Sequence, residues 1–449
     1  MTTTAASASL QSLDRAIASG AAPGLVAVAF DHERNFAAAA SGVSSVKTQA
    51  PMTTDSVLWF ASAGKILVSL AALVLVERDS FDLDSHEELV KVVPELGKGY
   101  PGSRVWELFD GKDENGAWRF KQAQKGITLR HLLTHTTGFS YEFASEEYAW
   151  AYGETKKAGY DLSSIETYQL PRLFEAGEQY KYGGKTAAWP SGRPVELTLY
   201  PHLANNAHTC LFIMRKSGLS FRRAIQQLVL SPLNIPLDAV DTFVTPDLAK
   251  DAAGIALRTS ETTFMPLPVD LPIPQFDDEV PKGRVPVGEA PAWGRLPAWT
   301  GILRSFLNGS APSPGGKPLL SPESWKLSTQ DDLAVRGISI QQDPFWTSVD
   351  PVLGVTTQKW AVPKKQVKDD SLGWTFLQNL YHRYETDTGH AVGSLEWAGA
   401  AGTFYFVDST NGVGGMISTQ LLPFCDPALL KVRDEFAKWV HENVPAKTG

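Results

Sequence analysis

Apolar residues run almost unbroken from Ile66 to Val76 in "KILVSLAALVLVERD", so a helix formed there is buried on nearly every side. Glu77, Arg78 and Asp79 close it. The run is shorter than the ~20 residues that cross a bilayer, which predicts a core helix. Upstream, "GLVAVAFDHERNFAAAASG" (24–42) predicts a strand, a turn at Asp31 to Arg34 and a second strand, a hairpin. A turn-rich stretch, "VSSVKTQAPMTTD", then gives way to the short β-prone run "SVLWFA", which leads straight into the apolar helix. "FDLDSHEELVKVVPEL" follows as a loop and a helix.

The pattern then changes. "VWELFDGKDENGAWRF" (105–120), with turn residues Asp113 to Gly116, predicts a second hairpin, and "TLRHLLTHTTGF" (128–139) predicts a short helix stopped by Gly138. "TCLFIMRKSGLSFRRAIQQLVLSPL" (209–233) reads as two helices broken near Gly218. Prolines crowd residues 265–299, so that segment is expected to be a loop or a wrap over the surface. Near the end, "LEWAGAAGTFYFVDSTNGVGGMISTQLLP" (395–423) carries two strand runs around a turn at Ser409 to Gly412. "DPALLKVRDEFAKWVHENV" (426–444) has the 3.6-residue period of a closing amphipathic helix. The expected arrangement is α/β (α+β): residues 1–90 and 300–449 form one lobe, an antiparallel sheet flanked by helices. Residues 91–299 form an inserted, mostly helical lobe with the Pro-rich segment at 265–299.

Composition narrows the chemistry. A net charge of −8 without a basic cluster gives no footprint for nucleic acid, which leaves a small molecule as the expected partner. Only Cys210 and Cys425 are present, a usage that suits a reducing compartment better than a disulfide scaffold, although one bridge between them is compatible with it. The first twenty residues lack the basic start and apolar block of a secretory signal, so a cytoplasmic location is expected, with no membrane association.

One residue stands out against the apolar background. Lys65 sits at the mouth of the buried helix, three residues after Ser62, and residues three apart share a helix face. An ammonium among apolar neighbours is disfavoured relative to the free amine, and a free amine can take the proton of a serine hydroxyl. Ser-x-x-Lys is a cheap pattern, and "SSVK" (44–47) repeats it in a turn with no buried helix behind it. The strand entry and the buried helix distinguish Ser62 and Lys65 from that decoy.

Here the chain resembles a known family. "SVLWFASAGKILVSLAALVLVERDSFDLDS" is similar to the first motif region of the serine β-lactamase and penicillin-binding-protein superfamily, and "GITLRHLLTHTTGF" to its class C, carboxylesterase and transesterase branch. The resemblance runs from "GLVAVAF" to "STQLLPF" and implies the β-lactamase-like fold, Ser62 as nucleophile and Lys65 as its proton acceptor. The second family motif begins with a tyrosine, and "FEAGEQYKYGG" offers Tyr182, with Ala176 and Tyr180 where relatives carry proline and tryptophan. It implies Tyr182 as a general base and then as acid to the leaving group. A different alignment across the inserted stretch 185–208 places Asn206 at the motif's asparagine and Ala204 where the tyrosine should be. The third motif matches "WAGAAGTFYF", implying Trp397, Ala398 and Gly399 on the strand that edges the site, with the amides of Ser62 and Ala400 as the oxyanion hole. The "KTG" at 447–449 and "GGKTA" at 183–187 are decoys without that strand. Trp397 replaces the cation that helps hold a β-lactam carboxylate, which favours esters or thioesters with apolar acyl groups.

The resemblance therefore implies a serine acyl-transfer enzyme, a carboxylesterase or a transesterase of secondary metabolism, with no cofactor and with an acyl-carrier thioester as a candidate donor. Two rivals remain open at this level: proton-transfer chemistry such as isomerisation or cyclisation on a specialised metabolite, and a binding protein that has lost turnover. His131 and His135 have the spacing of a zinc pair, but Leu132 stands where a metalloprotease needs its glutamate, and no metal is expected. "GGKT" (183–186) lacks the first glycine of a phosphate loop, since position 179 is Gln179. Tyr148, Trp150 and Tyr152 suit either a cleft wall or core packing.

Overall fold

The structure is a computed structural model that describes residues 11–141, 145–161, 163–182, 204–242, 244–267, 292–340, 371–424 and 426–443. Residues 11–18 form α1. Strands β1 (Gly24–Asp31) and β2 (Asn35–Gly42) make the first hairpin, and β3 (Val57–Trp59) passes through one 3-10 turn, Ala61–Gly64, into α2 (Lys65–Arg78). Next come α3 (His86–Val92), the hairpin of β4 (Glu107–Lys112) and β5 (Trp118–Gln122), α4 (Leu129–Leu133) and α5 (Glu146–Lys157). Helices α6 (Ala204–Ser217) and α7 (Phe221–Ile225) follow. Short elements come after them: β6 (Val240–Asp241), α8 (Pro246–Ala249), β7 (Ala256–Arg258), β8 (Phe264–Pro266) and β9 (Trp293–Arg295). The last part holds α9 (Leu296–Leu307), α10 (Pro322–Thr329), α11 (Asp332–Val335), β10 (Leu372–Trp374), β11 (Leu380–His382), β12 (Leu395–Gly399), β13 (Thr403–Asp408), β14 (Val413–Ser418), β15 (Leu421–Leu422) and α12 (Pro427–Asn443).

The main sheet has seven strands in the order β10-β11-β12-β13-β14-β1-β2, so strands from both ends of the chain meet in it. All its pairings are antiparallel. β1 is paired along both edges, by β14 and β2, and every residue from Gly24 to Phe30 is buried, so both of its faces are covered and "GLVAVAF" is apolar without alternation. The register places Glu396, Phe406 and Gly415 on one face and Trp397, Tyr405 and Met416 on the other. The first face takes α12, whose Phe436 lies where a side chain at position 415 would stand and whose Arg433 approaches Glu396 at 3.7 Å. On the second face, Trp397 packs against Tyr182 and Trp374.

Three expectations are refined. The run 395–408 is two strands, β12 and β13, because Gly402 adopts φ 79° and its N–H donates to the Gly399 carbonyl at 3.1 Å, turning the chain over Ala400 and Ala401. The Pro-rich stretch is not loop to its end. Trp293–Arg295 pairs with β3, and Pro297 sits in the first turn of α9, where its missing N–H costs nothing. The helix at 129 ends at Leu133, well before Gly138, because His135 itself takes a left-handed φ of 54°. Residues 268–291, like the "GGKT" and "KTG" segments and Cys425, lie outside the described residues; Cys210 is buried in α6.

Tyr148 and Tyr152 belong to the core: Tyr148 donates to the Pro171 carbonyl at 2.9 Å and packs on Phe109, and half-buried Trp150 packs on Phe109 and Phe120. Among the described residues no helix is long and apolar enough to cross a membrane.

Burial depresses several histidines. His131 falls to about 4 through burial and the Arg336 charge, His208 to about 4 and His390 to about 3 through burial, and His135 lies well below the ordinary value. A group whose folded value is lowered binds fewer protons in the native state, so stability is full above pH ~6.5 and falls as pH drops. Unfolding in urea is therefore expected to cost at least ~2 kcal/mol less at pH 5 than at pH 7.5. A second loss follows in stronger acid, because Glu396, whose burial is outweighed by its 2.8 Å hydrogen bond to His382 and by Arg433, is held at about 2. An acid limb starting only below pH 4 in a urea titration would contradict this assignment.

Candidate active site

The chain enters the site under restraint. Gln420 works as a surrogate strand for Trp59, accepting from its N–H at 3.1 Å and donating to its carbonyl at 3.2 Å. Phe60 donates its N–H to the Ala292 carbonyl at 2.9 Å and packs its ring 4.4 Å from Trp299 of α9. Ala61 then adopts φ 45°, a left-handed conformation that costs a non-glycine residue about 1 kcal/mol and that tight surroundings must enforce. The result is a sharp corner that lifts Ser62, partly exposed, to the surface of an otherwise buried turn.

Lys65 is the first residue of α2 and is 1% exposed. Its Nζ donates to Ser62 Oγ at 2.9 Å, so the one-turn spacing does bring amine and hydroxyl together. Every residue from Lys65 to Leu73 is buried, and α2 packs against α6, α7 and α10. The unbroken apolar run therefore builds a dry floor under an amine whose tip reaches a half-open hydroxyl.

Tyr182 lies beside this pair. Its ring centroid is 5.6 Å from Lys65 Nζ, and the residue is 5% exposed. Aromatic rings fix its plane: Trp397 at 4.8 Å, His135 at 4.9 Å, Tyr141 at 5.6 Å and Trp374 at 5.7 Å. Trp374 also stands edge-on to Trp397 at 4.6 Å. Of the two possible alignments of the second motif, Tyr182 is the residue beside Lys65. Asn206 reaches the site only indirectly, its Oδ1 accepting from Gln378 at 3.1 Å, and Ala204 opens α6 without a hydroxyl.

The third motif owes its glycine to a close crossing. A Cβ on Gly399 would overlap the Phe60 carbonyl oxygen, two residues before Ser62. Only glycine lets β12 lie against the Ala61–Gly64 turn that carries Ser62, and Ala400, next in sequence, begins the tight turn into β13. Trp397, on the same strand, is buried between Tyr182 and Trp374.

Several residues close to the site carry no sequence signal of their own. Trp374 comes from the far edge of the sheet, Gln378 from the β10–β11 turn, Ser69 from one turn deeper in α2 and Asn205 from α6. His135 drew notice only as half of a metal pair. His131 and His135 in fact serve different purposes. His131 closes the start of α4, its Nδ1 accepting from the Thr128 N–H at 3.2 Å, whereas both ring nitrogens of His135 are engaged in the interior.

The β-lactamase family model matches residues 11–196. ML-236A carboxylate methylbutanoyltransferase mlcH of Penicillium citrinum is 30% identical over 95% of this chain and 91% of its own length. The chain belongs to the β-lactamase family. Monacolin J acid methylbutanoyltransferase of Aspergillus terreus is 29% identical over 55% of this chain and 54% of its own length. Against the first curated relatives, the matched stretch spans only about half of their length, 51% and 54%. The unliganded selenomethionyl structure of the simvastatin synthase LovD from Aspergillus terreus superposes with a TM-score of 0.74, covering 99% of this chain and all of that one at 20% identity. That likeness shows the fold: a β-lactamase-like antiparallel sheet flanked by helices.

Proposed function

We propose that this β-lactamase-family chain is a serine acyltransferase of secondary metabolism, which carries a short apolar acyl group from a thioester to an alcohol through an ester on Ser62. One observation carries the reading: a buried lysine amine donates to a partly exposed serine hydroxyl at 2.9 Å, with a tyrosine ring packed against the amine.

Ser62 Oγ attacks the thioester carbonyl while its proton passes to the Lys65 and Tyr182 pair. The C–O bond forms, the C–S bond breaks, and the pair returns the proton to the departing thiolate. An alcohol then repeats the sequence in reverse, its proton taken by the same pair and Ser62 restored. The amides of Ser62 and Ala400 hold the carbonyl oxygen as it gains charge, each donor worth on the order of 3 kcal/mol. An acyl-carrier thioester is the donor class that fits an apolar acyl group, and Trp397 favours an uncharged acyl chain over a carboxylate. The transferase names of the relatives favour an alcohol acceptor; with water instead, the same steps make an esterase.

The test is direct. Incubation with a fluorophosphonate followed by peptide mass spectrometry is expected to place the adduct on Ser62. Incubation with a 2-methylbutanoyl N-acetylcysteamine thioester is expected to leave a 2-methylbutanoyl ester on the same residue, discharged faster by a secondary alcohol such as monacolin J acid than by water. Absence of both adducts would remove the acyl-transfer reading and favour a binding protein or proton-transfer chemistry.

A further inference from the structure

We propose that His135, fixed in one tautomer between Asn205 and Gln378, is a positioning residue that holds the Tyr182 ring against Lys65. The proposal rests on the acyl-transfer reading of the same site and adds to it a buried polar support.

The network fixes the ring from both sides. Thr137 Oγ1 accepts from the Phe139 N–H at 3.1 Å and donates to Asn205 Oδ1 at 2.6 Å, which leaves Asn205 Nδ2 to donate to His135 Nδ1 at 3.0 Å. On the opposite side, Gln378 Nε2 donates to Ser69 Oγ at 3.0 Å and to Asn206 Oδ1 at 3.1 Å. Its Oε1 is thereby presented to His135 Nε2 at 2.8 Å, where the imidazole must donate. Asn205 of α6 and Gln378 of the β10–β11 turn thus bond the imidazole directly, and Ser69 of α2 acts on it through Gln378.

Two links run from His135 to the tyrosine, one from its ring and one from its backbone. The His135 ring lies edge-on to Tyr182 at 4.9 Å and 72°, and the His135 carbonyl accepts from the Lys181 N–H at 2.9 Å, tying down the backbone just before Tyr182. A third contact, with Trp374 at 5.3 Å, fixes the other ring that Tyr182 touches. Among the described residues, Lys65, Tyr180 and Tyr182 are the titratable groups that face His135. Burial, and then the Lys65 charge, keep the imidazole neutral, so His135 adds no charge beside Lys65.

Strain marks the same place. His135 and Gln378 adopt φ of 54° and 58°, left-handed conformations that glycine would hold without cost, and these two residues are hydrogen-bonded to each other. A chain that needed only a turn at each position would be more stable with glycine. Retaining two strained side chains in contact, beside the amine and the tyrosine, is the pattern expected of a support for chemistry.

The experiment compares wild type with His135→Asn, which tolerates the left-handed backbone, and with Gln378→Glu, nearly the same shape with an added charge. All three are assayed with p-nitrophenyl butyrate and a fluorophosphonate. His135→Asn is expected to lose kcat by ~10²-fold with KM within about threefold, the scale of a displaced catalytic group. Gln378→Glu is expected to move the acid limb of the kcat/KM profile upward by at least about one pH unit, because a carboxylate there favours protonated neighbours. Wild-type kcat and an unshifted profile in folded variants, with only melting temperature lowered, would assign His135 to structure alone and overturn the proposal. If His135→Asn does not fold, Asn205→Ala, which removes the donor to His135 Nδ1 at 3.0 Å, decides by the same split of kcat from KM. Lack of fluorophosphonate labelling of wild type would instead remove the acyl-transfer reading, so the two failures are distinguishable.

Discussion

Exchange of Ser62 for alanine is expected to abolish covalent labelling and to lower turnover of p-nitrophenyl butyrate by ~10⁴-fold or more. The oxygen that attacks the carbonyl is then gone, while Lys65, Tyr182 and the site's backbone amides remain, so only slow attack by water persists. Lys65→Met is expected to approach the same loss, because the hydroxyl 2.9 Å away no longer has an amine to receive its proton. Methionine suits the site sterically: position 65 is 1% exposed at the head of a helix buried through Leu73, and an apolar chain there costs little stability. The double variant is expected to be no slower than either single one, since groups that act as a unit are not additive. Rates measured by stopped assay, with the adduct located by mass spectrometry, test all three. Retained labelling in Ser62→Ala would move the nucleophile elsewhere.

Gly399→Ala is expected to combine the next largest loss of activity with a measurable loss of stability. The new methyl group would overlap the Phe60 carbonyl oxygen, which belongs to a restrained turn and cannot step aside as a flexible side chain would. Either β12 retreats from the nucleophile turn or the turn distorts, at a cost of about 1–3 kcal/mol, the usual range for overpacking. In both cases the Ala400 amide separates from Ser62. Losing one oxyanion donor lowers kcat by ~10²- to 10³-fold, so kcat is expected to fall by that amount while labelling of Ser62 is slowed but not eliminated. A variant that melts several degrees lower yet turns over at the wild-type rate would remove Ala400 from the mechanism.

Much of this site is readable from local sequence because its central pair is local. Ser62 and Lys65 belong to one turn and the head of one helix, and the apolar run behind them states its burial by lacking a polar face. The hairpins at 24–42 and 105–120, the break near Gly218 and the closing helix are equally local, each set by alternation, 3.6-residue periodicity or a turn signal. The division of 395–408 into two strands is harder to read, because apolar residues on both sides of Gly399 and Gly402 continue the same run. His135 illustrates the opposite limit: its spacing from His131 suggests one helix face, but the helix ends between them and the two rings serve unrelated contacts.

What the linear order of residues determined by itself is the Ser62 and Lys65 pair, its buried helix and the main strands, because these follow from side chains within a few positions of each other. What the tertiary structure alone decided is which distant groups surround that pair. Tyr182 rather than Asn206 lies beside Lys65, Gly399 crosses Phe60, and Trp374, Gln378 and Asn205 converge from three other elements. No periodicity encodes such meetings, since they depend on how the sheet draws together strands from both ends of the chain and on rings and hydrogen bonds that are satisfied only once those elements have packed.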